Sequence, residues 1–123
     1  MRTRICTFTL DERGFVRARL DRGAVIELGD AREAIQATWA VAGERPRPVL
    51  VDMRELASET REARLYFVSD EASKRYSAVA ILVSSPVSRV IGAFFLRLTE
   101  HRAPTRLFSS ESEAVAWLLE QVP

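Results

Sequence analysis

Residues 77–98, SAVAILVSSPVSRVIGAFFLRL, decide the fold of this chain. The segment 77–83 is apolar almost throughout, which is typical of a strand that is covered on both faces. Ser85 and Pro86 follow at once, and a serine N-cap with proline at the first helical position favours the start of a helix. The stretch therefore predicts a buried strand that turns directly into a helix.

The predicted helix has apolar residues on more than one side. Phe95 lies at the edge of the broad apolar face and Leu96 lies nearly opposite to it, while Ser88 and Gly92 form a groove of small residues. We expect the side with Phe95, Leu96 and Gly92 to contact a partner protein or a ligand. The residues predicted to face the sheet are Val87, Val90, Ile91, Phe94 and Leu98.

The chain before this stretch predicts a hairpin followed by a crossover. Residues 5–10 and 15–20 alternate between apolar and polar, and the turn residues 11–14 separate them. Asp30 and Glu33 form a capping box that opens a helix, and Gly43 ends it. A second apolar strand follows over residues 49–53, so the helix supplies the crossover that parallel strands need.

A second helix is predicted over residues 59–75, capped by Ser58 or Thr60. It has two apolar seams on nearly opposite sides, and the sequence leaves open which of them is buried. The surplus seam is a candidate interface, with Tyr66 and Phe67 as its aromatic members. The two seams are Leu65, Val68, Ala72 and Tyr76 on one side, and Ala63, Tyr66 and Phe67 on the other.

The chain closes with a short strand over residues 106–108 and a last helix that Ser110 and Glu113 cap. The order β-β-α-β-α-β-α-β-α, with a hairpin first and crossovers after it, predicts an α/β fold with helices packed on a mixed sheet.

Composition limits the classes of partner. The 123 residues, 47% of them hydrophobic, suit one domain spanning residues 1–123. The formal net charge of +1 gives no field that attracts nucleic acid or an anionic membrane. No apolar run reaches the ~18 residues of a membrane span. Cys6 is the single cysteine, so no internal disulfide forms, and we expect a cytoplasmic protein.

Five segments resemble the small stand-alone bacterial proteins of the STAS/SpoIIAA-like group, which is related in fold to anti-sigma-factor antagonists. The resemblance covers roughly residues 15–119 and implies a SpoIIAA-like α/β fold and no enzyme. The segments are PVLVDMREL (48–56), REARLYF (61–67), AVAILVSSPVSRVIGAFFL (78–96), PTRLF (104–108) and ESEAVAWL (111–118).

One departure from that group concerns phosphorylation. The antagonists carry an Asp-Ser-Ser-Gly type motif whose serine is phosphorylated at a helix N-terminus. Here residues 60–63, Thr-Arg-Glu-Ala, take its place, so the expected serine is missing. Ser58 and Thr60 are the nearest hydroxyls and the candidate phosphorylation sites, although simple helix capping explains them equally well.

Isolated reactive residues give no catalytic or cofactor site. His101 is the only histidine and is predicted to lie in a solvated connection. One cysteine and one histidine make no metal cluster, and the scattered glycines make no phosphate loop, so we expect no cofactor. The hypothesis of an enzyme that uses Asp52 or His101 therefore rests only on single residues.

The geometry of open α/β sheets gives one candidate crevice. Ligands settle beyond the carboxyl ends of parallel strands, which is where the sequence places Asp52, Arg54, Ser84, Ser85 and Ser88. Free N–H groups at Ser85 would suit an anion there. Alternatively, Asp52 and Ser84 satisfy backbone groups of their own loops.

The sequence favours a non-enzymatic binding or regulatory module that acts through protein contact, as a homodimer or with another protein. The alternative is a carrier of a small apolar or amphipathic ligand. The third hypothesis is an anti-sigma-factor antagonist with a degenerate phosphorylation motif.

Overall fold

The computed structural model of the chain describes residues 1–99 and 102–123. Their strands and helices alternate in the predicted order, with one additional pair of two-residue strands. The strands are β1 (Cys6–Leu10), β2 (Val16–Leu20), β3 (Val25–Ile26), β4 (Arg47–Asp52), β5 (Ser58–Glu59), β6 (Tyr76–Leu82) and β7 (Thr105–Phe108). The helices are α1 (Leu28–Val41), α2 (Arg61–Phe67), α3 (Asp70–Ser73), α4 (Pro86–Thr99) and α5 (Glu111–Gln121).

Five strands form a mixed sheet in the order β1-β2-β4-β6-β7. The β1–β2 hairpin is antiparallel, and each later neighbour is parallel because a helical crossover precedes it. The β3 and β5 strands form a separate parallel pair in which Ile26 lies opposite Glu59. The predicted mixed α/β fold is confirmed.

Helices cover the two faces of the sheet unequally. The first face carries Phe8, Ala18, Val49, Val79 and Ile81, which form one core with residues of α1, α2 and α4. The second face carries Leu50, Ala80 and Leu82, which pack against Ala114 and Leu118 of α5. The sheet therefore has several helices on its first face and α5 on its second.

Helix α1 begins three residues before the predicted start, since its N-cap is Glu27. Asp30 is not the N-cap but the third residue of the helix, and its carboxylate accepts a hydrogen bond from the Glu27 backbone N–H at 2.9 Å. Arg4 holds the same carboxylate through Nε at 2.9 Å and Nη2 at 2.6 Å. This bidentate ion pair holds the Asp30 carboxylate at the first turn of the helix. It also lowers the pKa of Asp30.

The prediction of one continuous helix over residues 59–75 is wrong. This segment is divided into α2 and α3, because Ser69 interrupts it and caps α3 by accepting a hydrogen bond from the Ala72 N–H at 3.2 Å. Thr60, one of the two predicted caps, is the N-cap of α2. Ala63 is fully buried and Leu65 is 49% exposed, so the seam of α2 that faces the core is the one with Ala63.

Helix α4 begins at Pro86 as predicted, but the face that it turns to the sheet differs from the prediction: Val87, Val90 and Phe94 are exposed, whereas Ile91 is half-buried and packs on the core. Ser88 is fully buried and Phe95 is 7% exposed. A Cβ atom on Gly92 would lie 2.8 Å from Leu107 Cδ2 and 2.9 Å from Val83 Cγ1, so the helix approaches β6 and β7 as closely as a glycine permits. Ser88, Gly92 and the Phe95 ring therefore lie on the inner face of α4, and Val87, Val90 and Phe94 point outward.

Within the two described ranges, no helix is long and apolar enough to cross a membrane.

Candidate functional site

The structure brings three residues of the predicted crevice together, at the ends of β4 and β6. Arg54 Nη2 lies 2.7 Å from Asp52 Oδ2, and this contact raises the pKa of Arg54. The Ser84 hydroxyl donates to the Arg54 carbonyl oxygen at 3.1 Å. The charged groups of this crevice therefore pair with each other, as the alternative of local satisfaction predicts.

Ser85 and Ser88 occupy the start of α4. The buried Ser88 Oγ accepts hydrogen bonds from the Ser84 and Ser85 N–H groups at 3.0 Å each. The Ser85 Oγ accepts from the Ser88 N–H at 3.0 Å, as an N-cap does. The N–H group of Ser85 that would suit an anion is thus already bonded to a hydroxyl of the same turn.

A polar groove of about 250 Å³ adjoins this crevice on the second face of the sheet. Glu111 of α5 links its two sides, with Oε1 at 3.4 Å from Arg54 and Oε2 at 3.5 Å from Arg17. Thr7 and Thr9 of β1 complete one wall. Opposite charges alternate along this groove, so it presents no uniform sign to a charged ligand.

The predicted interface needs correction, because four of its five residues lie against the core: Gly92 and Phe95 of α4 are buried, and Tyr66 and Phe67 of α2 are partly buried and pack on the core. Gly92 and Phe95 face the sheet, and the Phe95 ring meets the Phe67 ring edge-on with centroids 5.8 Å apart. Leu96 is half-buried. Tyr66 is half-buried as well, with its hydroxyl 3.3 Å from Glu71. A helical wheel predicts an outward position for Gly92 and Phe95, because it ranks the sides of a helix by hydropathy. It contains no information on how closely the helix packs against the sheet.

The opposite side of α4 is the exposed one. We call Val87, Val90 and Phe94 the outer stripe; their exposed fractions are 47%, 58% and 43%. They follow one another at helical spacing along a single side. Two guanidinium groups lie over the Phe94 ring, Arg64 at 4.9 Å from its centroid and Arg97 at 5.9 Å. The stripe is therefore an apolar surface with cations beside its aromatic ring.

A cavity of about 80 Å³ lies between the first face of the sheet and the helices. Its wall is almost entirely apolar and includes Val49 and Val51 of β4, Ala34 of α1, Phe67 of α2 and Phe95 of α4. Val51 belongs to the central strand of the sheet and is nevertheless only half-buried. The helices therefore leave the middle of this face incompletely covered.

Glu59 lines this cavity, and one oxygen of its carboxyl group, Oε1, is buried without a hydrogen bond to any described residue. Its side chain is 1% exposed, and its Oε1 lies 3.4 Å from Arg64 Nε. Neither of these two atoms has a hydrogen-bond partner among the described residues. Burial raises the pKa of Glu59 to about 7, and the Arg64 charge opposes this shift only in part.

The other titratable groups of the wall are paired or neutral. The Asp30 carboxylate is held by Arg4. The Tyr76 hydroxyl donates to the Phe67 carbonyl oxygen at 3.0 Å, and burial raises the pKa of Tyr76 to about 12. Burial likewise raises the pKa of the Cys6 thiol to about 12, so this cysteine is a neutral core group.

Glu59 is the residue that sequence reasoning missed. It stands in the polar run Ser58-Glu59-Thr60-Arg61-Glu62, which has no apolar period that would indicate burial. The two-residue strand β5 carries it inward because Glu59 pairs with the buried Ile26 of β3. The candidate phosphorylation sites flank it: Ser58 is exposed, and Thr60 Oγ1 accepts from the Ala63 N–H at 3.2 Å.

His101 lies outside the described residues. Within residues 1–99 and 102–123, no group of three or more His, Cys, Asp or Glu side chains is arranged to hold a metal ion.

Solved structures with low sequence identity share the fold. An uncharacterised protein of the DUF3478 family from Shewanella loihica, described as having a SpoIIAA-like fold, matches with a TM-score of 0.64 and 13% identity over 96% of this chain and 98% of that chain. An anti-sigma factor antagonist from Mycobacterium paratuberculosis matches with a TM-score of 0.58 and 15% identity over 92% and 93% of the two chains. The fold is therefore SpoIIAA-like, as the resemblance implied.

A protein of unknown function from an Arthrobacter species is 38% identical over 91% of this chain and 97% of that chain, with a TM-score of 0.37. No curated protein matches the chain. The family model of a domain of unknown function, DUF7793, matches residues 8–122, which is nearly the full length. The chain thus belongs to the DUF7793 family.

Proposed function

We propose that this protein is a non-enzymatic binding or regulatory module that acts by protein contact through the outer stripe of α4. The observation that supports it is the exposure of three large apolar side chains, Val87, Val90 and Phe94, on one side of one helix. Exposed apolar surface of this kind is costly in water and typically serves as an interaction site. Its spacing suits a helix or an apolar segment of the partner.

The charge of α4 favours a partner other than a second copy. The helix carries Arg89 and Arg97 and no carboxylate. Two copies of the stripe in a two-fold contact would bring guanidinium groups together, which is unfavourable. A partner whose apolar segment is flanked by Asp or Glu would instead pair with Arg64 and Arg97. The homodimer that the sequence predicts stays a prediction and is one outcome of the test.

The first experiment places a photo-crosslinking side chain at position 90 in the native host. A protein that crosslinks there is purified, and its affinity is measured for the wild type, for Val90→Asp and for Leu119→Asp. Leu119 is 37% exposed on α5 and is the matched control. We expect Val90→Asp to weaken binding at least about tenfold, because it sets a carboxylate against an apolar, acid-flanked partner, and Leu119→Asp to leave binding unchanged.

Sedimentation of the purified protein over a concentration series distinguishes self-association from contact with another protein. Self-association that Val90→Asp abolishes would assign the stripe to a homodimer. A monomer at all concentrations, together with no crosslinked protein whose binding depends on Val90, would overturn the proposal.

The second candidate function is carriage of a small apolar or amphipathic molecule. The cavity beneath α1 supports it, because an apolar space of about 80 Å³ is several times the ~10–15 Å³ that one water molecule needs. Native mass spectrometry of gently purified protein tests it, and a consistently bare mass would count against it.

Phosphorylation is the third proposal. The hydroxyl of Ser58 is exposed, whereas that of Thr60 caps α2. Phosphoproteomic mapping of the protein from its host tests both sites.

A further inference from the structure

We propose that the cavity beneath α1 binds a small, largely apolar molecule with one hydrogen-bond donor, and that the Glu59 carboxyl group accepts this donor. The proposal rests on the second candidate function and gives it an anchor residue and a ligand class.

Glu59 places a hydrogen-bond acceptor in a buried, apolar cavity, where an acceptor without a donor destabilises the fold. A buried carboxylate that lacks hydrogen bonds is strongly destabilising, so such a group is normally bonded or given a ligand. The Arg64 Nε is at 3.4 Å but makes no aligned hydrogen bond with it. The Glu59 Oε1 is therefore open to a donor that enters the cavity.

The remaining charged and titratable groups around the cavity leave Glu59 as the anchor. Asp30 from α1 is neutralised by Arg4, and the thiol of Cys6 and the hydroxyl of Tyr76 are neutral. Arg64 from α2 is the remaining cation beside Glu59 among the described residues. An anionic ligand would meet a carboxyl group and an apolar wall, so the chemistry selects against it.

The volume limits the ligand to a small one. A cavity of 150 Å³ holds benzene, and this one measures about 80 Å³, with half-buried residues such as Ala34 and Val51 in its wall. A single six-membered ring or a short branched chain is the upper size. Phenol and toluene are suitable probes, because they have nearly the same shape and differ in one donor.

The test measures both probes by two-dimensional NMR titration of the full chain. We expect shifts at residues of the wall, such as Ala34, Val49 and Val51, and an affinity for phenol at least about tenfold above that for toluene. Glu59→Met removes the acceptor and should make the two affinities equal. Glu59→Gln keeps a carbonyl oxygen and should retain a preference for phenol.

Two controls keep the result interpretable. Ala34→Leu fills the cavity from α1 with a residue that suits a helix, and it should abolish binding of both probes. Thermal unfolding checks each variant, and neither Glu59 variant should unfold earlier than the wild type, because each removes a buried charge.

The outcomes distinguish the role of Glu59 as the hydrogen-bond acceptor from the carriage of a ligand in the cavity. Equal affinities of the wild type for phenol and toluene, or a preference that survives in Glu59→Met, would overturn the role of Glu59 and leave carriage standing. If neither probe gives saturable shifts in the wild type, both the anchor and carriage are overturned. The contact through the outer stripe is tested separately and is unaffected by either result.

Discussion

The two faces of the sheet bury apolar side chains to different degrees. On the second face, Ala114 and Leu118 of α5 are fully buried against Ala80 and Leu82, which are also fully buried. On the first face, several helices surround a cavity, and Val51 of the central strand stays half-buried. Close packing beneath α5 supplies stability on the second face, and incomplete packing on the first face leaves room for an apolar ligand.

The largest expected effect tests the packing of the second face. Leu118→Ala should lower the free energy of unfolding by about 3–5 kcal/mol, because it removes buried methyl groups and leaves a cavity. Leu119→Ala, one residue further along and 37% exposed, should cost less than about 1 kcal/mol. Urea unfolding of both variants measures the difference. Similar losses would mean that α5 is not the tightly packed side.

The second effect belongs to the first face and depends on pH. The pKa of Glu59 is raised from 4.5 to about 7, so the folded state binds the proton more tightly than the unfolded state does. The wild type should therefore be most stable below about pH 4.5 with respect to this group, and should lose up to about 3 kcal/mol as the pH rises through about 7.

Glu59→Gln should remove this loss. We expect its stability to exceed that of the wild type at about pH 8, and the gap to close at about pH 4.5, as measured by urea unfolding at both pH values. A gap that does not change with pH would contradict a buried, poorly bonded carboxyl group at the cavity.

The third effect tests how closely α4 approaches the sheet. Gly92→Ala should cost about 1–2 kcal/mol, because the contacts at 2.8 and 2.9 Å outweigh the ~1 kcal/mol that alanine gains over glycine in a helix. Gly29→Ala in α1 is the matched control. Nothing lies within 4 Å of a Cβ atom there, so this variant should be neutral or more stable. A stabilised Gly92→Ala would place α4 further from the sheet.

The smallest expected effect concerns the outer stripe. Val90→Ser should change the free energy of unfolding by less than about 0.5 kcal/mol, because Val90 is 58% exposed. Thermal unfolding is the measurement. A loss comparable with that of Leu118→Ala would show that this side of α4 is part of the core and would remove the basis for a docking surface.

Much of the fold follows from local sequence patterns. The alternation of residues 5–10 and 15–20 predicts the hairpin, and the serine–proline pair at 85–86 predicts the start of α4, which the structure confirms. These patterns suffice because hairpins and helix starts depend on neighbouring residues. The SpoIIAA-like fold follows from the order of the elements together with the resemblance.

The candidate sites depend on depth and distance, which local patterns do not contain. A helical wheel assigns Val90 and Phe94 to the core because they are large and apolar, but α4 approaches the sheet most closely at Gly92 and turns Phe95 inward in place of Phe94. The burial of Glu59 arises from a strand pair between residues more than thirty positions apart. The hydropathy pattern of residues 58–62 alone therefore does not indicate this contact.

The Arg64 side chain contacts both proposed binding surfaces, the cavity and the outer stripe. Its Nε lies 3.4 Å from Glu59 at the cavity, and its guanidinium group lies 4.9 Å from the centre of the Phe94 ring on the outer stripe. If both surfaces are occupied as proposed, a side chain shared in this way couples the binding free energies of the two occupants, and such coupling is equal in both directions. A molecule bound at Glu59 would then alter the Arg64 cation that the outer stripe presents to a protein, and a protein that holds Arg64 would change the affinity of the cavity by the same factor.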